Sequence, residues 1–198
     1  MFISLEGLDG SGKTTQARLL GARLEADGVE VILTREPGGT PLGEEIRELL
    51  LHGGHVAPWA DAALYAASRA QHVEQLIRPA LERGATVICD RYVDSSVAYQ
   101  GIARGLGLER VLELNLAAVE GLLPDVTILL EIGVADAAAR MGAELDRLER
   151  EDDGFRACVA SAFRQLAERE PGRYVTVDGT ADQQTIAEEI LGAVRSRS

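Results

Sequence analysis

One segment near the start of the chain has the residue types and spacing of a phosphate-binding loop. Gly7-Leu8-Asp9-Gly10-Ser11-Gly12-Lys13-Thr14 matches the pattern G-x-x-x-x-G-K-[ST] in full. Its glycines allow a tight turn, so that consecutive amide groups and the positive end of the following helix surround an anion. Lys13 would then reach the β- and γ-phosphates of a nucleoside triphosphate, and the Thr14 hydroxyl would join a Mg²⁺ shell. A glycine-rich turn that binds nothing is the alternative.

A carboxylate that follows a later apolar run could complete the metal site. Val87-Ile88-Cys89-Asp90 has the form of a Walker B strand. An acid beside a phosphate-binding loop can orient Mg²⁺ or its water ligands, although an aspartate after a strand is also a common turn residue. The predicted metal-binding residues are Thr14 and Asp90. Because the sequence contains no guanine-reading N-K-x-D segment, these parts predict a small kinase or a nucleotide-driven switch.

Several arginines fall where a second anion could bind. They lie at predicted strand ends or on the helices that start there: Arg35, Arg47, Arg69 and Arg91. In an open α/β sheet the ligand crevice lies outside the carboxyl ends of the strands, so we expect at least Arg35 and Arg91 to face the same crevice as the phosphate loop. Arginine suits bidentate phosphate binding. For each arginine taken singly, a surface ion pair is the alternative.

Short apolar runs that alternate with helical patterns are expected to position these residues. Five runs predict buried parallel strands: Phe2–Leu5, Val29–Thr34, Thr86–Cys89, Thr127–Glu131 and Tyr174–Val177. The segments with helical periodicity are Thr14–Ala26, Glu44–Leu51, Ala60–Arg83, Leu108–Gly121, Ala135–Met141, Asp153–Arg169 and Thr185–Ser196. We therefore expect a three-layer α/β fold of the P-loop NTPase type, with a five-stranded parallel sheet in one domain over residues 1–198.

Composition sets limits on partners and location. The 198 residues carry 20 lysines and arginines against 32 aspartates and glutamates, a net charge of −12, so we expect no binding of long nucleic acid. The sequence has no signal-peptide pattern and no apolar stretch near membrane-spanning length, which predicts a cytoplasmic protein. We expect Cys89 to be a buried thiol. The histidines, which lack metal-ligand spacing, are predicted to be loop and surface residues: His52, His55 and His72.

The sequence motifs around the arginines resemble those of the bacterial thymidylate kinase family, a group of P-loop nucleoside monophosphate kinases. The matching words, in order along residues 2 to about 150, are Leu5-Glu6-Gly7, Thr34-Arg35-Glu36-Pro37-Gly38-Gly39-Thr40, Ala67-Ser68-Arg69 and Asp90-Arg91-Tyr92-Val93-Asp94-Ser95-Ser96-Val97-Ala98-Tyr99-Gln100-Gly101. The resemblance implies transfer of the γ-phosphoryl group of ATP to dTMP, with Mg²⁺, in a homodimer. The residues that it implies for ATP binding are Gly7, Leu8, Asp9, Gly10, Ser11, Gly12, Lys13, Thr14 and Thr15.

The resemblance also implies a role for each residue at the acceptor site. Asp9 matches an acidic position at the acceptor's phosphate and sugar region or the metal, and Tyr65 matches an aromatic that stacks on thymine. Arg69 matches the arginine that donates to the thymine 4-carbonyl. The residues placed around the acceptor phosphate are Arg35, Arg47 and Arg91, and those facing the base are Ser96 and Gln100. The alternatives are a core-and-rim pair for Tyr65 and Arg69, a helix cap for the serines of this motif, and a surface position for Gln100.

The resemblance also implies a lid over about residues 140–153, and phosphoryl transfer needs a lid to exclude water. The alternative for residues 142–153, which are rich in charge and poor in apolar side chains, is a solvated loop or helix end. The loop positions between Gly7 and Gly12 carry no basic residue, and in such relatives the lid supplies the catalytic arginine. We predict that Arg147 has this role, with Arg140 as the alternative, beside Lys13, Arg91 and Asp9 as the other catalytic residues. Two rival functions stay open: another nucleoside monophosphate kinase, or a non-catalytic P-loop switch.

Overall fold

The computed structural model describes residues 1–142, 147 and 150–197. At its centre is a five-stranded sheet in the order β2-β3-β1-β4-β5, in which every neighbouring pair is parallel. The strands are β1 Phe2–Glu6, β2 Val31–Arg35, β3 Thr86–Asp90, β4 Val126–Glu131 and β5 Tyr174–Asp178. The predicted parallel α/β sheet is confirmed, and β2 begins two residues later than predicted.

Helices cover both faces of this sheet. They are α1 Lys13–Ala26, α2 Pro41–His52, α3 Pro58–His72, α4 Arg78–Glu82, α5 Val93–Ser96, α6 Leu108–Ala118, α7 Val134–Arg140, α8 Asp153–Arg169 and α9 Gln183–Arg195. Two π-helical segments continue α3 and α5 without a break, Val73–Ile77 and Val97–Ala103. Within the described ranges, no helix combines the length and hydropathy that crossing a bilayer requires.

The helical stretch from Val93 to Ala103 was not predicted. It begins with a valine and contains two further β-branched residues, an aromatic and a glycine, all of which have modest or poor helix propensity. Its side chains from Val93 to Gly101 are nevertheless buried, so packing decides its conformation where local propensity does not. The predicted helix Ala60–Arg83 is present as α3, the first π-helical segment and α4 in succession.

The central strands β1, β3 and β4 are mostly apolar and almost entirely buried, because both faces of the sheet are covered there. Phe2, Val87 and Leu129 belong to one buried cluster, whereas Ile3 and Ile88 belong to another. Phe163 of α8 lies in the first cluster; the second includes Leu20 of α1 and Ile190 of α9. Adjacent residues of one strand thus enter different cores, as the alternation of a pleated strand requires. Cys89 is a buried free thiol, as predicted.

The end of β1 carries a buried acid that ties it to the turn after β3. Glu6 is fully buried, and its Oε1 accepts the Tyr92 amide hydrogen at 2.8 Å. Its Oε2 accepts from the Ser95 hydroxyl at 2.6 Å. Burial and the negative charge of Asp94 raise the pKa of Glu6 to about 7, against the opposing effect of these hydrogen bonds and of Arg91. The phosphate loop and the Asp90-Arg91-Tyr92 turn are therefore held together by a carboxyl that resists ionisation.

This raised pKa predicts a pH-dependent stability. Between pH 4.5 and about 7 the folded chain binds more protons at Glu6 than the unfolded chain, so the free energy of unfolding falls as pH rises through this window. Glu6→Gln removes that titration and should flatten the fall by roughly 1–3 kcal/mol. Urea denaturation at a series of pH values measures the effect. The exposed Glu82→Gln is the matched control and should follow the unsubstituted protein; equal slopes for both variants would contradict the assignment.

Candidate active site

The phosphate loop runs from the end of β1 to the start of α1 in a conformation that glycine makes possible. Gly10 has φ 82°, and a Cβ on it would lie 2.3 Å from the Ala137 carbonyl oxygen. Gly7 has φ 138°, and a Cβ there would lie 2.6 Å from the Leu130 oxygen. Both positions exclude a side chain, because the backbone of α7 or of β4 is in contact with the loop.

Lys13 lies folded back into this loop. Its ammonium group donates to the carbonyl oxygens of Leu8, at 2.7 Å, and Gly7, at 3.1 Å, and the residue is buried. Burial and the nearby Arg91 guanidinium lower the pKa of Lys13 to about 8, while Asp9 and Asp90 act in the opposite direction. The charged ammonium is therefore incompletely compensated, and a bound polyphosphate would supply the missing negative charge.

The predicted metal ligands are in contact with each other. The Thr14 hydroxyl donates to Oδ2 of Asp90, which ends β3 beside the loop. A hydroxyl and a carboxylate offer the hard oxygen ligands that Mg²⁺ prefers. Thr14 lies in the first turn of α1, where the triphosphate-binding amides are expected, and Asp90 lies beside it at the end of β3, so the two residues fit the ion that the loop pattern implies.

Arg91 and Asp9 form an ion pair between the phosphate loop and the turn after β3; this pair is called the junction of the site. Arg91 follows β3 with φ 69°, and its Nη2 lies 2.5 Å from Asp9 Oδ1. Its Nη1 donates to the Gly7 carbonyl and to the Ser95 hydroxyl, each at 3.1 Å, while the Tyr99 hydroxyl donates to Asp9 Oδ2 at 3.2 Å. Burial would raise the pKa of Asp9, but the positive charges of Arg91 and Lys13 outweigh it and lower that pKa to about 2. Asp9 is thus ionised across the physiological range.

Arg69, on α3, lies in a network of acceptors on the other side of the cavity. It is 1% exposed, and its Nε donates to Glu36 Oε2 at 2.6 Å. Its Nη1 donates to the Ser96 hydroxyl at 3.0 Å and to Asn115 Oδ1, and its Nη2 donates to the Tyr92 carbonyl at 2.9 Å. A guanidinium has five N–H groups, so one Nη2 hydrogen is left without a partner among the described residues. Arg69 is a buried cation held in one orientation.

Glu36, which accepts a hydrogen bond from Arg69, also contacts His72, and the position of His72 differs from the prediction. His72 was expected at the surface, but it is fully buried on α3. Its Nδ1 lies 2.9 Å from Glu36 Oε1, and its Nε2 lies 2.7 Å from the Thr34 hydroxyl. The ring thus satisfies the second oxygen of a buried carboxylate, which explains its burial. His52 and His55 are exposed, as predicted.

The other two predicted acceptor-site arginines lie at the rim. The Arg35 side chain is 50% exposed and pairs with Glu44, at 2.8 Å from Oε2. Arg47 donates to the Pro37 carbonyl at 2.9 Å. An exposed pair such as that of Arg35 stabilises the fold little, so the Arg35 side chain can turn towards an anion at low cost.

Gln100 and Tyr65, which are predicted to contact the base, also line the cavity. Both are buried, so the surface alternative for Gln100 is excluded. Gln100 Nε2 donates at 3.0 Å to Oδ2 of Asp61, a buried residue of α3. Asp61, Tyr65 and Arg69 follow one another at intervals of four residues and lie on one face of α3.

The two candidate catalytic arginines of the lid differ in position. Arg140, the last residue of α7, lines the cavity and donates to the Gly179 carbonyl at 2.9 Å. Arg147 does not line it; its Nε donates to the Leu50 carbonyl at 2.6 Å and its Nη2 pairs with Asp61 Oδ1. The rest of the predicted lid motif, residues 143–146, 148 and 149, lies outside the described residues.

One cavity of about 760 Å³ joins these groups. The predicted site residues that line it are Asp9, Gly10, Ser11, Gly12, Lys13, Thr14, Thr15, Arg35, Arg47, Tyr65, Arg69, Asp90, Arg91, Ser96 and Gln100. Gly7 and Leu8 do not line it, and they contribute instead the carbonyls that hold Lys13. The size is that of a pocket for a ligand of several hundred daltons.

Several residues of the site were not assigned from the sequence. Glu36, Asp61 and Asn115 make the hydrogen bonds that orient Arg69 and Gln100. Asp61 could have been found, since it stands one helical turn before Tyr65 on the same face. Asn115 gives no such signal, because its contact with Arg69 depends on how α6 packs against α3.

Comparison with known proteins bears directly on this geometry. A family model described as thymidylate kinase matches residues 5–190. The thymidylate kinase of Clavibacter michiganensis subsp. michiganensis is 52% identical over 202 residues, covering 100% of this chain and 94% of that protein. The thymidylate kinase of Pelotomaculum thermopropionicum is 48% identical, covering 97% and 91%.

A solved structure agrees. The crystal structure of thymidylate kinase from Ehrlichia chaffeensis superposes with a TM-score of 0.81 at 32% identity, over 98% of each chain. The match extends over the phosphate loop, the arginine crevice and both ends of the sheet. Taken with the sequence matches along its whole length, it shows that this chain belongs to the thymidylate kinase family.

Proposed function

We propose that the chain transfers the γ-phosphoryl group of ATP to thymidine monophosphate, giving ADP and thymidine diphosphate. One observation carries the proposal: a single cavity joins the phosphate loop to a crevice lined by Tyr65, Arg69 and Gln100, with the Asp9–Arg91 pair at the junction. A P-loop switch would need only the first half of this cavity. An enzyme that joins two nucleotides needs both halves facing one point.

At the donor end, the loop amides and Lys13 hold the triphosphate. Lys13 exchanges the Gly7 and Leu8 carbonyls for phosphate oxygens, which satisfy its charge better than neutral carbonyls do. Thr14 and Asp90 would hold Mg²⁺, which neutralises phosphate charge when bound. The bound ATP thus has its γ-phosphate directed at the junction.

At the acceptor end, the base and the phosphate are held separately. The Tyr65 ring offers an aromatic face to thymine, and the N–H of Arg69 that no described residue accepts is available to a carbonyl acceptor such as O4. The acceptor phosphate lies between Arg91 on the inner side and Arg35 and Arg47 at the rim. Because the base is anchored some distance from the reacting oxygen, positioning of the whole nucleotide orients the phosphate.

The chemical step needs no enzyme nucleophile. An oxygen of the acceptor monophosphate attacks the γ-phosphorus, and the bond from that phosphorus to the bridging β,γ-oxygen breaks, with its electron pair passing to ADP. The side chains of Lys13 and Arg91 stabilise the charge on the transferring group and hold donor and acceptor in line. Asp9, ionised beside Arg91, keeps that guanidinium at the junction before the acceptor arrives.

A panel of acceptors tests the proposed reaction. Purified protein with Mg·ATP is incubated with dTMP, dUMP, dCMP, dAMP or dGMP, and the diphosphates are separated by ion-exchange chromatography. We expect thymidine diphosphate to form fastest, in amounts equal to the ADP released. Faster conversion of a purine or cytosine nucleotide, or ADP release without an acceptor product, would contradict the proposal. Omission of Mg²⁺ should abolish turnover.

We further propose that Arg147 completes the transition-state charge when the lid closes. Its guanidinium, now paired with Asp61 and Leu50, belongs to the segment next to the cavity and would leave these partners to reach the γ-phosphate. Arg147→Ala should lower kcat by roughly 10²–10⁵ while changing the KM for dTMP little. Steady-state kinetics measures both. Arg140→Ala is the comparison: a large loss of kcat there, with Arg147→Ala unaffected, assigns the role to Arg140 instead.

A homodimer, with a cytoplasmic location, is the last part of the proposal. Three of the four exposed large apolar side chains in the described ranges lie on α2 or at the start of α3: Leu42, Leu49 and Trp59. Exposed apolar side chains on two helices that pack against each other favour association of two copies. Light scattering should give about twice the chain mass of 21.2 kDa. Leu49→Lys should shift the protein towards the monomer; a monomeric unsubstituted protein at micromolar concentration would contradict the proposal.

A further inference from the structure

Asp61 is a buried aspartate that no part of the reaction described so far uses. It is 1% exposed on α3, four residues before Tyr65. Its two oxygens have different partners, with Oδ2 accepting from Gln100 Nε2 at 3.0 Å and Oδ1 accepting from Arg147. It does not line the cavity, so any effect on a ligand must pass through one of these partners.

The contact with Gln100 decides which way the amide of Gln100 faces. An ionised carboxylate only accepts hydrogen bonds, whereas a glutamine amide has a donating NH₂ at one side and an accepting oxygen at the other. With Asp61 as the neighbour, the NH₂ group must face Asp61. The oxygen Oε1 makes no hydrogen bond among the described residues and is the polar group that Gln100 can offer to the cavity.

Arg69 provides a donor beside this acceptor. Four of its five N–H groups are taken by Glu36, Ser96, Asn115 and the Tyr92 carbonyl, which leaves one donor on Nη2. Both residues line the cavity, so Arg69 can offer a donor there and Gln100 an acceptor. Without Asp61, the glutamine amide could turn over and present a second donor.

This pair distinguishes pyrimidines by their Watson–Crick edges. Thymine carries an accepting O4 next to a donating N3–H, which matches donor and acceptor in turn. Cytosine carries a donating 4-amino group next to an accepting N3, so both contacts would be mismatched. A site built to pair such groups rejects the wrong analogue strongly, because its own buried polar atoms are left unpaired.

We infer that Asp61 is a positioning residue that sets the specificity of the site, by holding the Gln100 amide with its oxygen towards the base. The inference rests on the proposed function. Asp61 does not touch the nucleotide, but through Gln100 it controls the preference for bases with an N3–H group.

The substitution Asp61→Asn tests this inference. The asparagine has nearly the same shape but can donate as well as accept, so Gln100 is free to reverse. We expect the ratio of kcat/KM for dTMP to that for dCMP to fall by roughly 5- to 100-fold, the range found for a single paired base contact. The KM for ATP should stay unchanged. An unchanged ratio in a folded D61N protein would overturn the inference.

Two further variants separate this role from a structural one. In a Gln100→Ala background, D61N should cause no additional change in the ratio, because the amide that Asp61 orients is absent. Arg147→Ala removes the other partner of Asp61 and should lower turnover of both acceptors equally. Asp94→Asn is the matched control, since Asp94, like Asp61, is buried beside an arginine and does not line the cavity, but its partners are Arg173 and Thr127 instead of Gln100. It should lower the melting temperature and leave the ratio unchanged.

A measurement on the unsubstituted protein covers the case in which D61N does not fold. N3-methylthymidine monophosphate lacks the N3–H group and should bind at least roughly fivefold more weakly than dTMP in a titration. Equal binding of the two would overturn the inference. If the proposed function is wrong, the unsubstituted protein does not convert dTMP. If only this inference is wrong, the unsubstituted protein converts dTMP, and D61N leaves the dTMP to dCMP ratio unchanged.

Discussion

The ion pair between Asp9 and Arg91 is the contact on which the two halves of the site depend. Asp9 belongs to the phosphate loop after β1, and Arg91 belongs to the turn after β3, the neighbouring strand. Their charges attract across the carboxyl edge of the sheet. The buried Glu6 accepts a hydrogen bond from the Tyr92 amide in the same turn. Since β1 and β3 pair in register, with Leu5 opposite Asp90, the separation of the two proposed nucleotide sites is set by strand pairing.

This arrangement also solves a problem of charge. The chain has a net charge of −12, and both of its proposed substrates are anions. Positive side chains therefore line the cavity, where Lys13 and Arg69 are buried and Arg91 is 16% exposed. Buried cations need partners. Asp9 and Glu36 are among these partners, and they leave part of the hydrogen-bonding capacity of the cations available to a ligand. Arg69 shows this most clearly, since four of its N–H groups are fixed and one is left over.

Much of this could be read from the sequence, because the information was local. The loop from Gly7 to Thr14 carries its conformation in its glycines, and the strands are marked by apolar runs that both faces of the sheet require. What the sequence did not provide depends on packing between distant segments. His72 looked like a surface residue, and only its approach to Glu36, far away along the chain, explains its burial. The helix after Val93 has little local propensity, and the contact between Asn115 and Arg69 exists only because α6 lies beside α3. Arg147 could be singled out by its motif but not located, since its position depends on a lid contact with Asp61.

The π-helical segment Val97–Ala103 has a consequence for how this part of the chain can vary. A π-helical turn holds one residue more than an α-helical turn, and such turns are frequent at functional sites. Each residue of an α-helix turns the next by about 100°. Deleting one residue from this segment would restore a regular α-helix, and the side chains on one side of the deletion would rotate relative to those on the other. Gln100 would then no longer meet Asp61 and the cavity at once. The length of this segment therefore matters to the proposed base site separately from its composition. A substitution changes individual contacts, whereas a deletion would rotate a whole face of the helix away from the cavity.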